Sequence, residues 1–265
     1  MPWTSEIRPG EIIIGDTDPT PMAPPGLSTG YERRDYRAHP FGELHYAKPL
    51  ELPIIPRSEW DDRIAEMERT KSRLSDLVLQ AEIPSLDQNG TNYCWFNGVI
   101  TACETLRCLA GLPYVKLSSA SGAAPIKSFR NNGGWGGEAL EWMQQHGACT
   151  AATWPANAID RRYYTEEARR EALRFRVTES SDVDQNNFDA LMTMLFHRIP
   201  CPLGLDWWGH LICAMDPVKT GTRSYGTRIR NSWGMSYGDR GFAVLTENKS
   251  RGDVVAPRVM IAANN

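Results

Sequence analysis

The stretch Gln88-Asn89-Gly90-Thr91-Asn92-Tyr93-Cys94-Trp95 runs straight into a helical pattern, and the rest of the chain is read outward from it. From Cys94 onward Trp95, Val99, Ala102, Cys103, Leu106 and Leu109 fall at helical spacing, and Gly111 followed by Pro113 supplies a stop. Cys94 therefore opens a helix. A thiol there sits among unpaired backbone N–H groups at the positive end of the helix dipole, which favours thiolate over thiol. Asn89-Gly90 is a strong turn dipeptide that folds Gln88 back, so its amide and the Cys94 N–H can hold an oxyanion between them.

A nucleophilic cysteine needs a base and a group to orient that base, and the C-terminal third offers both. His210 follows the turn Trp207-Trp208-Gly209 and leads the apolar run Leu211-Ile212-Cys213-Ala214-Met215, which reads as a buried strand. Asn231 lies in Arg230-Asn231-Ser232-Trp233-Gly234, and its amide oxygen can accept the second imidazole N–H. The candidate catalytic residues are Cys94, His210, Asn231 and Gln88.

Four separated blocks resemble the papain family of cysteine peptidases. Gln88, five residues ahead of Cys94-Trp95, resembles the oxyanion and nucleophile block. Asn132-Gly133-Gly134-Trp135 resembles the strip along which the substrate backbone lies, with Trp135 walling a side-chain pocket. Thr153-Trp154-Pro155 resembles a conserved-order turn of the family, and Asn231-Ser232-Trp233-Gly234 resembles the block whose tryptophan shields the His–Asn hydrogen bond. The resemblance covers residues 83 to about 247 and implies an α+β, two-lobed papain-like fold. In that fold residues 88–160 form a helical lobe and residues 170–265 a β-barrel-like lobe. It further implies a Cys-His-Asn endopeptidase mechanism, substrate binding by Gly133, Gly134, Trp135 and Gly209, and supporting roles for Trp95 and Trp233.

The departures bear on substrate preference. Thr91 stands where the family usually has a disulfide cysteine, and Asn92-Tyr93 is bulkier than the usual small pair. Cys94 and His210 are 116 positions apart, against roughly 130–150 in the family. A tight hairpin, with Asp206-Trp207-Trp208-Gly209 as its turn, replaces a long excursion before the histidine.

Composition bounds the remaining choices. At 265 residues and 29.7 kDa with 41% hydrophobic residues, the chain can bury a full core. A net charge of −3 and a pI near 6.0 give no basic excess for a nucleic-acid surface. Neither a long apolar run nor a signal-like N-terminus is visible, so a cytoplasmic protein without membrane attachment is expected. The six cysteines lack Cys-x-x-Cys spacing, so neither metal nor cofactor is expected, and those other than Cys94 read as small buried hydrophobes.

Residues 1–57 read as an extended, Pro-rich arm with one short strand at Ile12-Ile13-Ile14. Such composition does not order itself, so a protein partner for the arm, within a virion or another large complex, is the expectation. Residues 58–265 read as the catalytic domain. Residues 58–80 form one amphipathic accessory helix, permanent or belonging to a pro-segment, and residues 117–124 form a Ser/Ala-rich surface linker. The rival to peptidase function is a papain-fold docking component with little proteolytic activity; a thiol acyltransferase is a third reading.

Overall fold

The helix that begins at Cys94 is buried along residues 94–105 and forms the centre of the molecule. The computed structural model describes residues 7–260. In chain order the elements are strands β1 (Ile12–Ile14) and β2 (Lys48–Pro49), then helices α1 (Trp60–Arg69), α2 (Leu74–Gln80), α3 (Cys94–Leu109), α4 (Ala120–Ile126), α5 (Gly136–Gln145) and α6 (Glu166–Ala172). Strand β3 (Val177–Val183) and helix α7 (Phe188–Phe196) follow, and the chain closes with β4 (Cys201–Leu205), β5 (His210–Gly221), β6 (Ser224–Arg230), β7 (Phe242–Thr246) and β8 (Asp253–Met260). The run Val254 to Ile261 reads as a strand in the sequence, and its last residue, Ile261, lies outside the described residues.

The strands form one sheet in the order β1-β7-β6-β5-β4-β8-β3-β2. The two edge pairings, β1 with β7 and β2 with β3, are parallel and the rest antiparallel. β5 shows why this sheet is covered on both faces. Its alternating side chains split between two cores: Leu211, Cys213 and Met215 pack on the side of α2 and α3, while Ile212 and Ala214 join Trp60 and the apolar residues of α7. At Gly98, α3 lies so close to β5 that an added Cβ would come within 2.2 Å of Leu211 Cδ2. That contact seats the start of α3 beside the start of β5.

Three expectations are corrected. The accessory helix is two helices, because Thr70 caps α1 through Glu66 O (2.7 Å) and Lys71 turns left-handed at φ 53°. Residues 117–124 are interior, with Ser118, Ser119 and residues 120–124 buried in or just before α4. Small side chains there serve close packing: a Cβ on Gly122 would meet the Phe96 ring at 2.0 Å. The arm is ordered by its own chain, since β1 and β2 extend both sheet edges and Tyr31, Leu44, Tyr46 and Ala47 enter the core around α3. An external partner is not required to hold it.

Candidate active site

Two loops meet at the mouth of the fold. Gln88 N–H donates to Ser232 O (2.9 Å) and Gly234 N–H to Leu86 O (2.9 Å), so the loop ahead of α3 is stitched to the one after β6. The Ser232 hydroxyl donates to Gln88 Oε1 (2.6 Å). This pairing brings residues 144 positions apart in sequence into one site.

His210 and Asn231 are in contact through Nε2 and Oδ1 at 2.8 Å. The proton's place follows from the neighbours. Asn231 Oδ1 also accepts the Ser232 N–H (2.8 Å), which fixes it as the carbonyl oxygen, so Nε2 must carry the hydrogen and Nδ1 holds the lone pair. The imidazole stacks on Trp233 (centroids 4.8 Å apart) and meets Trp208 edge-on at 5.0 Å. Both indoles exclude water from the His–Asn bond. Burial pushes the His210 pKa down to about 4, only partly offset by the Asn231 bond.

Cys94 begins α3 as the sequence predicts, and its thiol is fully buried. The expectation of a ready thiolate is overturned in this conformation. Burial pushes the thiol pKa up to about 12, while nearby backbone amides, of Leu211, Gly30, Trp95 and Cys94 itself, lean the other way. Among the described residues His210 Nδ1 is buried without a hydrogen-bond partner, and burial disfavours the charged form of both the thiol and the imidazole.

The arm fills the space in front of the sulfur, and the sequence reading missed it. Gly134 N–H donates to Gly30 O (2.9 Å), Glu32 N–H to Gly134 O (2.8 Å) and Tyr31 N–H to Gly209 O (3.1 Å). The residues expected to bind substrate backbone, Gly134 and Gly209, thus hold the arm's backbone, and Gly133 abuts Gly30 O. Trp135 packs against the arm as well, at 5.0 Å from the His39 ring. The Gln88 amide is occupied in the same way: it donates to Ser28 O and Thr91 O, both at 2.8 Å, and the Trp233 indole N–H also reaches Ser28 O (3.1 Å). Trp95 is buried under the Lys127 ammonium, 5.1 Å from its ring. No local signature marks Ser28, Gly30 or Tyr31 as cleft residues; Ser232 was within reach as the neighbour of Asn231.

Among the described residues no cluster of three or more His, Cys, Asp or Glu is placed to hold a metal ion, and no helix is long and apolar enough to cross a membrane. A cavity of about 210 Å³ between α5 and α6, lined by Trp142, His146, Cys149, Trp154 and Tyr164, is separate from Cys94.

Solved structures of cysteine proteases share this chain's fold at low sequence identity. One is xylellain, a cysteine protease from Xylella fastidiosa, with TM-score 0.61 and 15% identity over 88% of this chain and 97% of that one. The chain has the papain-like fold. A second papain-like structure, digestive procathepsin L 3 of Tenebrio molitor larval midgut, matches with TM-score 0.59 and 14% identity over 87% of this chain and 84% of that one. By sequence the papain-like chain is similar to digestive cysteine proteinase 3 of Homarus americanus, 25% identical over 191 residues. That match takes in 63% of this chain and spans 58% of the relative's length. No family model matches the chain.

Proposed function

We propose that the chain is a cysteine peptidase in which Cys94 is the nucleophile, His210 the general base and acid, Asn231 the group that orients it, and Gln88 an oxyanion donor. The observation that carries the reading is the 2.8 Å bond between His210 Nε2 and Asn231 Oδ1, which leaves Nδ1 as an unprotonated base. The similarity to cysteine proteinases in sequence and fold supports it.

The reaction begins with transfer of the Cys94 S–H proton to His210 Nδ1. The sulfur attacks a peptide carbonyl carbon, the imidazolium returns the proton to the departing amine, and water attacks the thioester to release the acid. An oxyanion donor of the Gln88 kind contributes about 2.7–4 kcal/mol to such a step. Asn231 supplies no proton; it holds the imidazole in one tautomer, and Trp233 keeps water from competing for that bond. The substrate is a peptide or protein whose backbone takes over the hydrogen bonds that Gly134 and Gly209 now make with residues 30–32.

One observation favours a second reading, a docking module without turnover: the cleft is filled by residues 28–32, and burial there disfavours the thiolate. Prolonged incubation of the folded chain with a thiol-directed epoxide separates the two, because an irreversible reagent accumulates through rare openings. The peptidase reading expects one adduct on Cys94, absent in Cys94→Ala and slower to form in His210→Ala, together with cleavage of an unfolded protein substrate. No adduct on Cys94 in a folded sample refutes it.

A further inference from the structure

The segment in front of Cys94 is anchored on both sides by buried charge. Ahead of it, Glu11 pairs with Arg228, both side chains fully buried, with one contact at 3.1 Å, and Arg228 also reaches Asp216 at 3.4 Å. Behind it, the buried Arg34 guanidinium forks onto Asp182 at 2.8 and 3.1 Å and touches Asp253 at 3.4 Å. Between the two clamps, residues 16–25 run over the surface without helix or strand, and Met22 is 89% exposed.

We propose that residues 28–32 are a reversible strap that lifts away as a loop between these clamps and uncovers Cys94 while the chain stays uncut. The inference rests on Cys94 as the nucleophile of the proposed peptidase and adds how that site is restrained.

The relative strength of the contacts argues for lifting. The strap is seated by neutral hydrogen bonds to Gly134, Gly209, Gln88 and Trp233, which water can replace, and by the Tyr31 ring. The clamps are buried ion pairs, and breaking either would strand an uncompensated charge. The seat therefore yields first. Residues 15–33 have a contour length of about 60 Å, and residues 16–25 carry no helix or strand that lifting would have to break.

The seated strap is also poorly presented for cutting. It is the amide of Gly30 that lies at the sulfur, and the Gly30 carbonyl is drawn away by Gly134. The carbonyl on Gln88 is that of Ser28, shared with the Trp233 indole, and among the described residues no hydrogen bond joins it to the Cys94 N–H.

Gly30 sets the fit. A Cβ there would stand 2.2 Å from Asn92 O, 2.6 Å from its carbonyl carbon and 2.8 Å from its Cα, all backbone atoms that cannot swing aside. Gly30 has no left-handed φ, so alanine is compatible with its backbone and incompatible only with the seat. One methyl group should therefore open the cleft without unfolding the protein.

The test is site-resolved alkylation of the full chain by iodoacetamide under native conditions, with partly exposed Cys108 as the internal reference and intact mass followed in parallel. Gly30→Ala is expected to raise the Cys94 rate by about ten- to a hundred-fold, the scale of forcing a methyl into a packed contact, with Cys108 unchanged and the chain at full mass. Tyr31→Ala, which weakens the seat without crowding, is expected to raise it less and serves if the first variant does not fold. A Cys94 rate unchanged in both, or raised only in molecules that have lost their N-terminal segment, overturns the proposal. Faster Cys94 labelling with no peptide cleavage upholds the strap and removes the peptidase reading instead.

Discussion

Replacing Asn231 by alanine isolates the element on which the proposed chemistry depends. Asn231 Oδ1 accepts two N–H groups, from His210 and from Ser232, each at 2.8 Å and each buried. An unpaired buried donor costs about 1–3 kcal/mol. Two give about 2–6 kcal/mol, and water entering the vacated space offsets part, so a loss near 3 kcal/mol is expected. For a chain of this size that corresponds to a fall in Tm of roughly 6–12 °C. Denaturant unfolding followed by tryptophan fluorescence measures the loss, since Trp208 and Trp233 both contact the imidazole. Nitrogen-resolved NMR of His210 reads the second consequence: the wild-type ring holds its proton on Nε2, and the variant populates both tautomers. Asn231→Asp keeps the acceptor and adds a negative charge, so the His210 pKa should rise from about 4. A stability change below about 1 kcal/mol with the tautomer unaltered would refute the account.

His210 also makes stability depend on pH. Its folded pKa of about 4 lies below the unfolded value, so the unfolded state binds the extra proton between about pH 6.5 and 4, and stability contributed above that window is lost as pH falls through it. Asp253, raised to about 6 chiefly by burial, acts in the opposite sense; the slope in His210→Gln should therefore be compared with wild type, and equal slopes would exclude a contribution from the buried imidazole. Gly98→Ala drives a methyl into Leu211 and should cost about 1–3 kcal/mol in denaturant unfolding; a neutral result would mean α3 and β5 are less tightly apposed. Glu11→Ala removes one partner of a buried pair and should cost about 3 kcal/mol or more, less if Asp216 alone suffices for Arg228. Unfolding that is indistinguishable from wild type would show that the arm's first anchor is not closed in solution.

Much of the site was legible because its signals are local or positional. The helix opening at Cys94, the hairpin ahead of His210 and the short strand Ile12–Ile14 each follow from periodicity, turn residues and length. The misread stretches share a cause. Residues 117–124 have small side chains, which a linker and a close-packed helix both use, and only the Phe96 ring against Gly122 tells them apart. The break at Lys71 involves neither glycine nor proline, so the apolar positions of α1 and α2 run on as if one helix carried both.

From residue order alone came a thiol at a helix start, a histidine opening a buried strand, an asparagine with a tryptophan two residues on, and a proline-rich arm lacking structure of its own. Tertiary structure alone decided the state of those groups. Whether a thiol ionises depends on what solvates it, and here the solvent's place is taken by residues 28–32, seated over Cys94 by hydrogen bonds and flanked by two buried ion pairs whose partners are far apart in the chain. Long-range charge pairing of that kind leaves no local pattern, because an arginine and an aspartate look the same in sequence whether they meet in the core or face water.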